Sequence, residues 1–224
     1  MTSSIAIAPG TNVKELFRAA YANRYTWEPG FKGYRGNCSW MQGDRQEQGN
    51  FLVGADLKAS IEAISNEEVH KALASQLWEV CIHRVRRPFE QTHAENTFTA
   101  GDTNEEGLEV IVGGKAAGDR YRIKNNVVTM VHRHIHGTVV TIHTESTTDT
   151  GNGYLSRSYT SQYSDPATGA SRGGSNHFTD TFIELTGDGS WVLSERQIRT
   201  SSEGKEELQI FRFSDLQVNS ASEA

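Results

Sequence analysis

The sequence predicts an α+β fold, mostly antiparallel β. Its sheet should be strongly curved, or an incomplete barrel, wrapped around one long helix with a short helix before it. Three observations lead there. Hydrophobic residues are 36% of the 224-residue chain and mean hydropathy is −0.56, which suits strands buried on one face only. Beyond Glu90, glycine- and asparagine-rich turns punctuate runs of β-formers, the pattern of sequential hairpins. A single stretch from 65 to 87 carries helical periodicity with start and stop signals at its two ends. A meander that closes on itself rarely pauses for a helix, so the open form is favoured over a closed lipocalin-like barrel.

The elements follow in order. Residues 1–10 read as a disordered lead without the basic region of a signal peptide. Asn12 with Glu15 forms a capping box, and Val13, Leu16, Phe17, Ala20 and Tyr21 recur at helical spacing as far as about Arg24. From 31 to about 64, short strands broken at Gly43-Asp44, Gly49 and Gly54 predict an antiparallel meander. Ser65 with Glu68 forms a second capping box, with Glu67 and Glu68 where the helix dipole favours negative charge. Val69, Ala72, Leu73, Leu77, Val80 and Cys81 make its apolar stripe, Arg84, Arg86 and Arg87 crowd its last turn, and Pro88 stops it. Gly113-Gly114, Asn125-Asn126, Gly151 to Gly153, Asp165 to Gly169 and Gly187 to Gly189 then separate strands, the last at about 207–216. Residues 219–224 read as a frayed tail. Without a repeat, linker or change of composition, 11–218 should be one domain of two helices and roughly ten strands.

Net charge is −6, which argues against nucleic acid as a partner because phosphates need a basic surface. Cys38 and Cys81 are the only cysteines, one in a strand and one within the long helix, as expected of buried free thiols in a reducing compartment. The apolar runs fall short of the ~20 residues of a membrane span. The expectation is a protein that does not span a membrane and is cytoplasmic.

The chemistry gathers at 120–147, read as two back-to-back hairpins turning at Asn125-Asn126 and His136-Gly137. That register sets His132 opposite Thr141 and His134 opposite Val139, with His143 opposite Met130 on the same face. Through the first turn the face continues to Val128, Ile123 and Tyr121. The three imidazoles would polarise the edge of an apolar ligand cavity, bind a metal with Glu145 as the nearest supporting carboxylate, or stand as solvated surface histidines. Arg84, Arg86 and Arg87 offer an anionic head group or acidic partner a contact, although cations are expected there for the helix dipole alone. Asp149 to Gly153 resembles the start of a calcium loop but lacks its closing glutamate, and reads as a turn. Asp180 and Glu184 read as carboxylates of an exposed, alternating strand. Tyr25, Trp27, Phe31, Tyr34, Trp40 and Trp78 should be mostly core, with room for an aromatic pocket mouth. No Ser-His-Asp arrangement, phosphate loop or dinucleotide fingerprint is present.

Several blocks taken together resemble a known family. They are Tyr21-Ala-Asn-Arg-Tyr-Thr-Trp27, Phe31-Lys-Gly-Tyr34, His83-Arg-Val-Arg-Arg-Pro-Phe-Glu90, Asn96-Thr-Phe98, Val112-Gly-Gly114, Asp149-Thr-Gly-Asn-Gly-Tyr154 and Phe178-Thr-Asp-Thr-Phe182. In that order, over about 14–217, they resemble an uncharacterised family of cyanobacteria and chloroplasts, a domain of unknown function. The resemblance implies a photosynthetic cell and a soluble or peripheral thylakoid location. The order of elements is similar, more loosely, to the periplasmic lipoprotein carriers, half-barrels whose helices plug an apolar cavity. A one-layer sheet with one covering helix leaves a cleft on its concave face. The expected function is therefore a non-enzymatic carrier or chaperone-like protein holding a hydrophobic small molecule, lipid or pigment-related. Tyr121, Ile123, Met130, His132, His134, His143 and Trp78 would line the site, with no cofactor. The alternatives are an assembly factor of the photosynthetic apparatus gripping a protein through Arg84, Arg86 and Arg87, and a metal-dependent enzyme using His132, His134 and His143.

Overall fold

The computed structural model describes residues 12–220; the expected lead at 1–10 lies outside them, as do 221–224 of the expected tail. Three helices and 12 strands appear in the order α1 (Val13–Ala22), β1 (Tyr34–Gln42), β2 (Arg45–Val53), β3 (Ala59–Glu62), α2 (Glu67–Arg84), α3 (Phe89–Thr92), then β4 (Asn96–Asn104), β5 (Gly107–Gly114), β6 (Arg120–Lys124), β7 (Val127–Ile135), β8 (Thr138–Asp149), β9 (Tyr154–Ser164), β10 (Ser175–Glu184), β11 (Trp191–Ser202) and β12 (Lys205–Val218). The strands run β3-β2-β1-β12-β11-β10-β9-β8-β7-β6-β5-β4 across one unclosed sheet. This is a meander begun at β4, with the first three strands added beyond β12 through an antiparallel β1–β12 ladder.

Turn chemistry sets the hairpins. Asn125 and Asn126 take φ of 52° and 60°, and His136 and Gly137 take 49° and 74°, the left-handed pair that a two-residue hairpin turn requires and that Asn and Gly tolerate best. The contacts divide the described residues into two compact units, one of 12–25, 87–177 and 201–204, the other of 26–86, 178–200 and 205–220.

In the first unit α1 begins at Asn12, whose side chain accepts from the Glu15 amide. It buries Val13, Phe17 and Ala20 against Val110, Val112, Tyr121, Ile123 and Val128. Phe17 lies 4.5 Å from Tyr121 and 5.5 Å from both Phe89 and Phe98, centroid to centroid. The short α3, which sequence reading did not separate from the strands, supplies Phe89 to this cluster. His93 closes it, 4.7 Å from Phe89, with Nδ1 accepting from the Asn96 side-chain amide at 3.0 Å.

In the second unit α2 is capped by Asn66, not by Ser65; the Asn66 side chain accepts from the Glu68 and Val69 amides. Asn66 stands one residue nearer the first helical turn and offers a side-chain carbonyl oxygen that caps as well as a serine hydroxyl. Val69, Leu73, Leu77, Val80 and Cys81 are buried as α2 packs on β1 and β3. At its far end the Arg84 carbonyl, left without an intrahelical donor, accepts from the Trp27 amide at 2.9 Å. Below lie Tyr34, Phe51 and Phe213 in edge-to-face contacts of 5.3 Å. Asn219, which the sequence places in the tail, is buried instead, its amide donating to the Lys32 and Val53 carbonyls.

Candidate functional site

The second hairpin forms in the register its turn dictates: His132 faces Thr141, His134 faces Val139 and Met130 faces His143. The first does not hold its register throughout. It starts as Lys124↔Val127 and Ile123↔Val128, then slips, so that Arg122 meets Met130 and Arg120 meets His132. Thr129 is the extra residue of a bulge, which moves the following side chains to the other face. Distant groups hold it: the Tyr154 hydroxyl accepts from the Val128 amide, and the Thr129 hydroxyl donates to the Glu106 carbonyl. Tyr121 and Ile123 therefore join the α1 core with Val128. Met130, His132, His134 and His143 share the opposite face with Arg120 and Arg122 by register.

On that face the imidazoles do not converge. His132 Nδ1 lies 2.9 Å from the Thr141 hydroxyl and Nε2 lies 3.5 Å from Arg120. Burial, then the Arg120 guanidinium and the His134 ring, holds its pKa below the ordinary value. His134 turns to the buried Asp119, at 3.3 Å, and His143 to Glu106, at 2.5 Å; the His134 and His143 side chains are each 43% exposed. Glu145 supports none of the three and instead meets His177 and Ser158. That Ser-His-Glu group is no relay, since serine and carboxylate both meet the same ring nitrogen, Nε2. Among the described residues no three His, Cys, Asp or Glu side chains are placed to hold a metal ion.

The arginines at the end of α2 are partly engaged within the fold. Arg84 lies over the Phe182 ring at 5.7 Å and Arg86 donates to the Thr26 hydroxyl, while Arg87 is exposed. Asp180 is not the exposed carboxylate that strand alternation suggests. It is buried and doubly bonded to Arg196 of β11 at 2.7 and 2.8 Å. Arg196 also reaches Gln76 and Glu79 of α2, which draws the alternating polar position inward.

Those bonds and the apolar stripe fix the rotation of α2 and leave a second apolar row facing out. Ala74, Trp78 and Ile82 follow at i, i+4 and i+8, Trp78 exposed and its two neighbours half-buried, and the exposed Val85 lies just past the last helical residue. Trp78 is 59% exposed, whereas Tyr25, Trp27, Phe31, Tyr34 and Trp40 are buried. Beside it runs an open groove of about 790 Å³, lined by Ser65, Glu67, His70, Lys71 and Ser75 and by the apolar Ile64, Ala74 and Trp78. Just before the groove, Ala63 takes φ of 62°. The next residue, Ile64, lies over Gly49, where a Cβ would come within 2.9 Å of it. Gly49 thus sits inside β2 rather than breaking the meander, and its bareness gives Ile64 room. A second hollow of about 140 Å³, between Trp40 and Ala72, is too small for a ligand.

Residues 8–218 match the model of the family described as Protein of unknown function (DUF3386). The chain belongs to that family. Among curated proteins none matches it. Three solved structures are among those to which the DUF3386 chain is similar. The first is a domain assigned to outer membrane lipoprotein sorting from Vibrio parahaemolyticus, 9% identical over 93% of this chain and 92% of that one, with a TM-score of 0.35. The second is a DUF1329 family protein from Desulfovibrio piger, 10% identical over 93% and 92%, TM-score 0.29. The third is a LolA superfamily protein from Nitrosomonas europaea, 6% identical over 94% and 95%, TM-score 0.31.

Of the residues expected to line a site, Trp78 alone stands in the groove. Its neighbours Ile64, His70, Lys71 and Ala74 were missed, although a signal was present. The long helix carries apolar residues at 74, 78 and 82 that its inward stripe does not use.

Proposed function

We propose that this chain is a non-enzymatic binding protein that carries a hydrophobic small molecule on the outer face of α2. One observation carries the reading: a helix whose inner stripe is already buried keeps the indole of Trp78 59% exposed on its outer side, flanked by half-buried Ala74 and Ile82. Uncovered apolar surface gathered on one element marks a place of contact. The groove beside it, at about 790 Å³, falls in the range of ~300–1,000 Å³ common to small-molecule sites. The reading includes a sheet curved about α2, a lipid or pigment-related cargo, and a location peripheral to the thylakoid membrane.

Organic extraction of the purified protein followed by mass spectrometry should recover the cargo, and a hydrophobic fluorophore should bind the emptied protein. Trp78→Ala should weaken that binding about tenfold while leaving the melting temperature in place, because the side chain is mostly in solvent. An empty extract together with no fluorophore binding overturns the proposal.

A further inference from the structure

The groove on α2 changes character along its length, and we infer from that change that its occupant is a single-tailed amphiphile whose head group has no net charge. The inference rests on the carrier reading above. From Glu67 to Trp78 the lining face runs ~17 Å at the helical rise of 1.5 Å per residue. That is close to half the ~30 Å hydrocarbon core of a bilayer, the reach of one tail. Ala74 and Trp78, with Ser75 between them, offer the tail mostly apolar contact, whereas Ser65, Glu67, His70 and Lys71 outnumber the one apolar residue, Ile64, toward the start of α2.

Charge at the polar end selects the head. Lys71 Nζ and Glu67 Oε1 are 2.7 Å apart, and their side chains are 72% and 80% exposed. A purely anionic head must draw Lys71 from Glu67 and then face the Glu67 carboxylate. A cationic head meets Lys71 in the same way. A hydroxyl-rich or zwitterionic head leaves the pair in place and bonds to both members and to Ser65. His70 is turned toward the strand, its Nε2 within 3.3 Å of the Ile61 carbonyl. The helix dipole is already answered by the Asn66 cap and by Glu67 and Glu68 in the first turn.

The test is a tryptophan-fluorescence titration of the full chain, below each micelle threshold, with dodecyl maltoside, dodecylphosphocholine, laurate and dodecyltrimethylammonium. The two heads without net charge should bind roughly threefold or more tighter than either charged one, the scale of an exposed ion pair. Glu67→Gln should swing the ranking toward laurate, and Lys71→Met toward dodecyltrimethylammonium, by a similar factor; a thermal melt checks that both exposed-site variants fold. Wild-type preference for one charged head, or a ranking that neither substitution moves, overturns this inference and leaves the carrier reading standing. Failure of all four to bind overturns the carrier reading and this inference with it.

Discussion

Tyr34 is sealed from solvent and its hydroxyl finds no hydrogen-bond partner among the described residues. Burial pushes the phenol far above its ordinary range, with Cys81 adding to the shift. A buried hydroxyl without a partner forfeits its hydration and gets nothing back, so Tyr34→Phe should stabilise the protein by about 1 kcal/mol in urea unfolding. His93 is the opposite case, a buried group with partners that suit only its neutral form. Burial first, then the positive charge of Arg133 and Arg24 against the weaker pull of Asp119, pushes its pKa from 6.5 down to about 4. The unfolded chain takes up a proton near pH 6.5 that the native ring refuses until about pH 4. The stability that His93 contributes is therefore complete above that window and falls as pH drops through it, by at most about 3 kcal/mol. Unfolding midpoints measured across the window should slope for the wild type and flatten for His93→Phe.

The bond between α2 and β11 is concentrated in Arg196, 4% exposed, which faces Asp180, 2% exposed. Burial raises the Asp180 carboxyl pKa even against the pull of Arg196, so removing the cation leaves a charge that the interior does not tolerate. Arg196→Met should cost about 3–5 kcal/mol, and adding Asp180→Leu should recover much of it; equal losses in single and double variants would show that packing, not charge, is at stake. None of this was legible in β10, whose alternating pattern reads the same whether Asp180 faces water or a guanidinium 16 positions on. The hairpins were legible because Asn125-Asn126 and His136-Gly137 contain residues that accept positive φ, a property local to the turn. The Thr129 bulge was not, since Tyr154 and Glu106, 26 and 23 positions away, hold it. One unpredicted residue thus parted Tyr121 and Ile123 from the histidines. On α2 the sequence pointed correctly to the inner stripe, while the cap moved from Ser65 to Asn66 because two adjacent residues both suit that role.

At the scale of the whole chain the two units carry different chromophores. All four tryptophans lie in the second unit, and of the seven tyrosines only Tyr34 does. His93 belongs to the first unit. Lowering the pH from about 7 to about 5 should therefore shift the tyrosine near-ultraviolet circular dichroism transition more than the tryptophan fluorescence transition. Equal shifts would mean that the chain unfolds as one cooperative body. Among the described residues no helix is long and apolar enough to cross a membrane. The β1–β12 ladder has a further consequence, one that belongs to time rather than space. From β5 to β9 each strand pairs with the one made just before it, but Tyr34 must wait for Val218. At ~5–20 residues per second of synthesis, that wait is roughly 10–40 s. During it the apolar faces of β1 and α2 stand ready without the strand that completes their sheet. A nascent chain halted before β12 is where a chaperone, or an aggregate, would find its handhold.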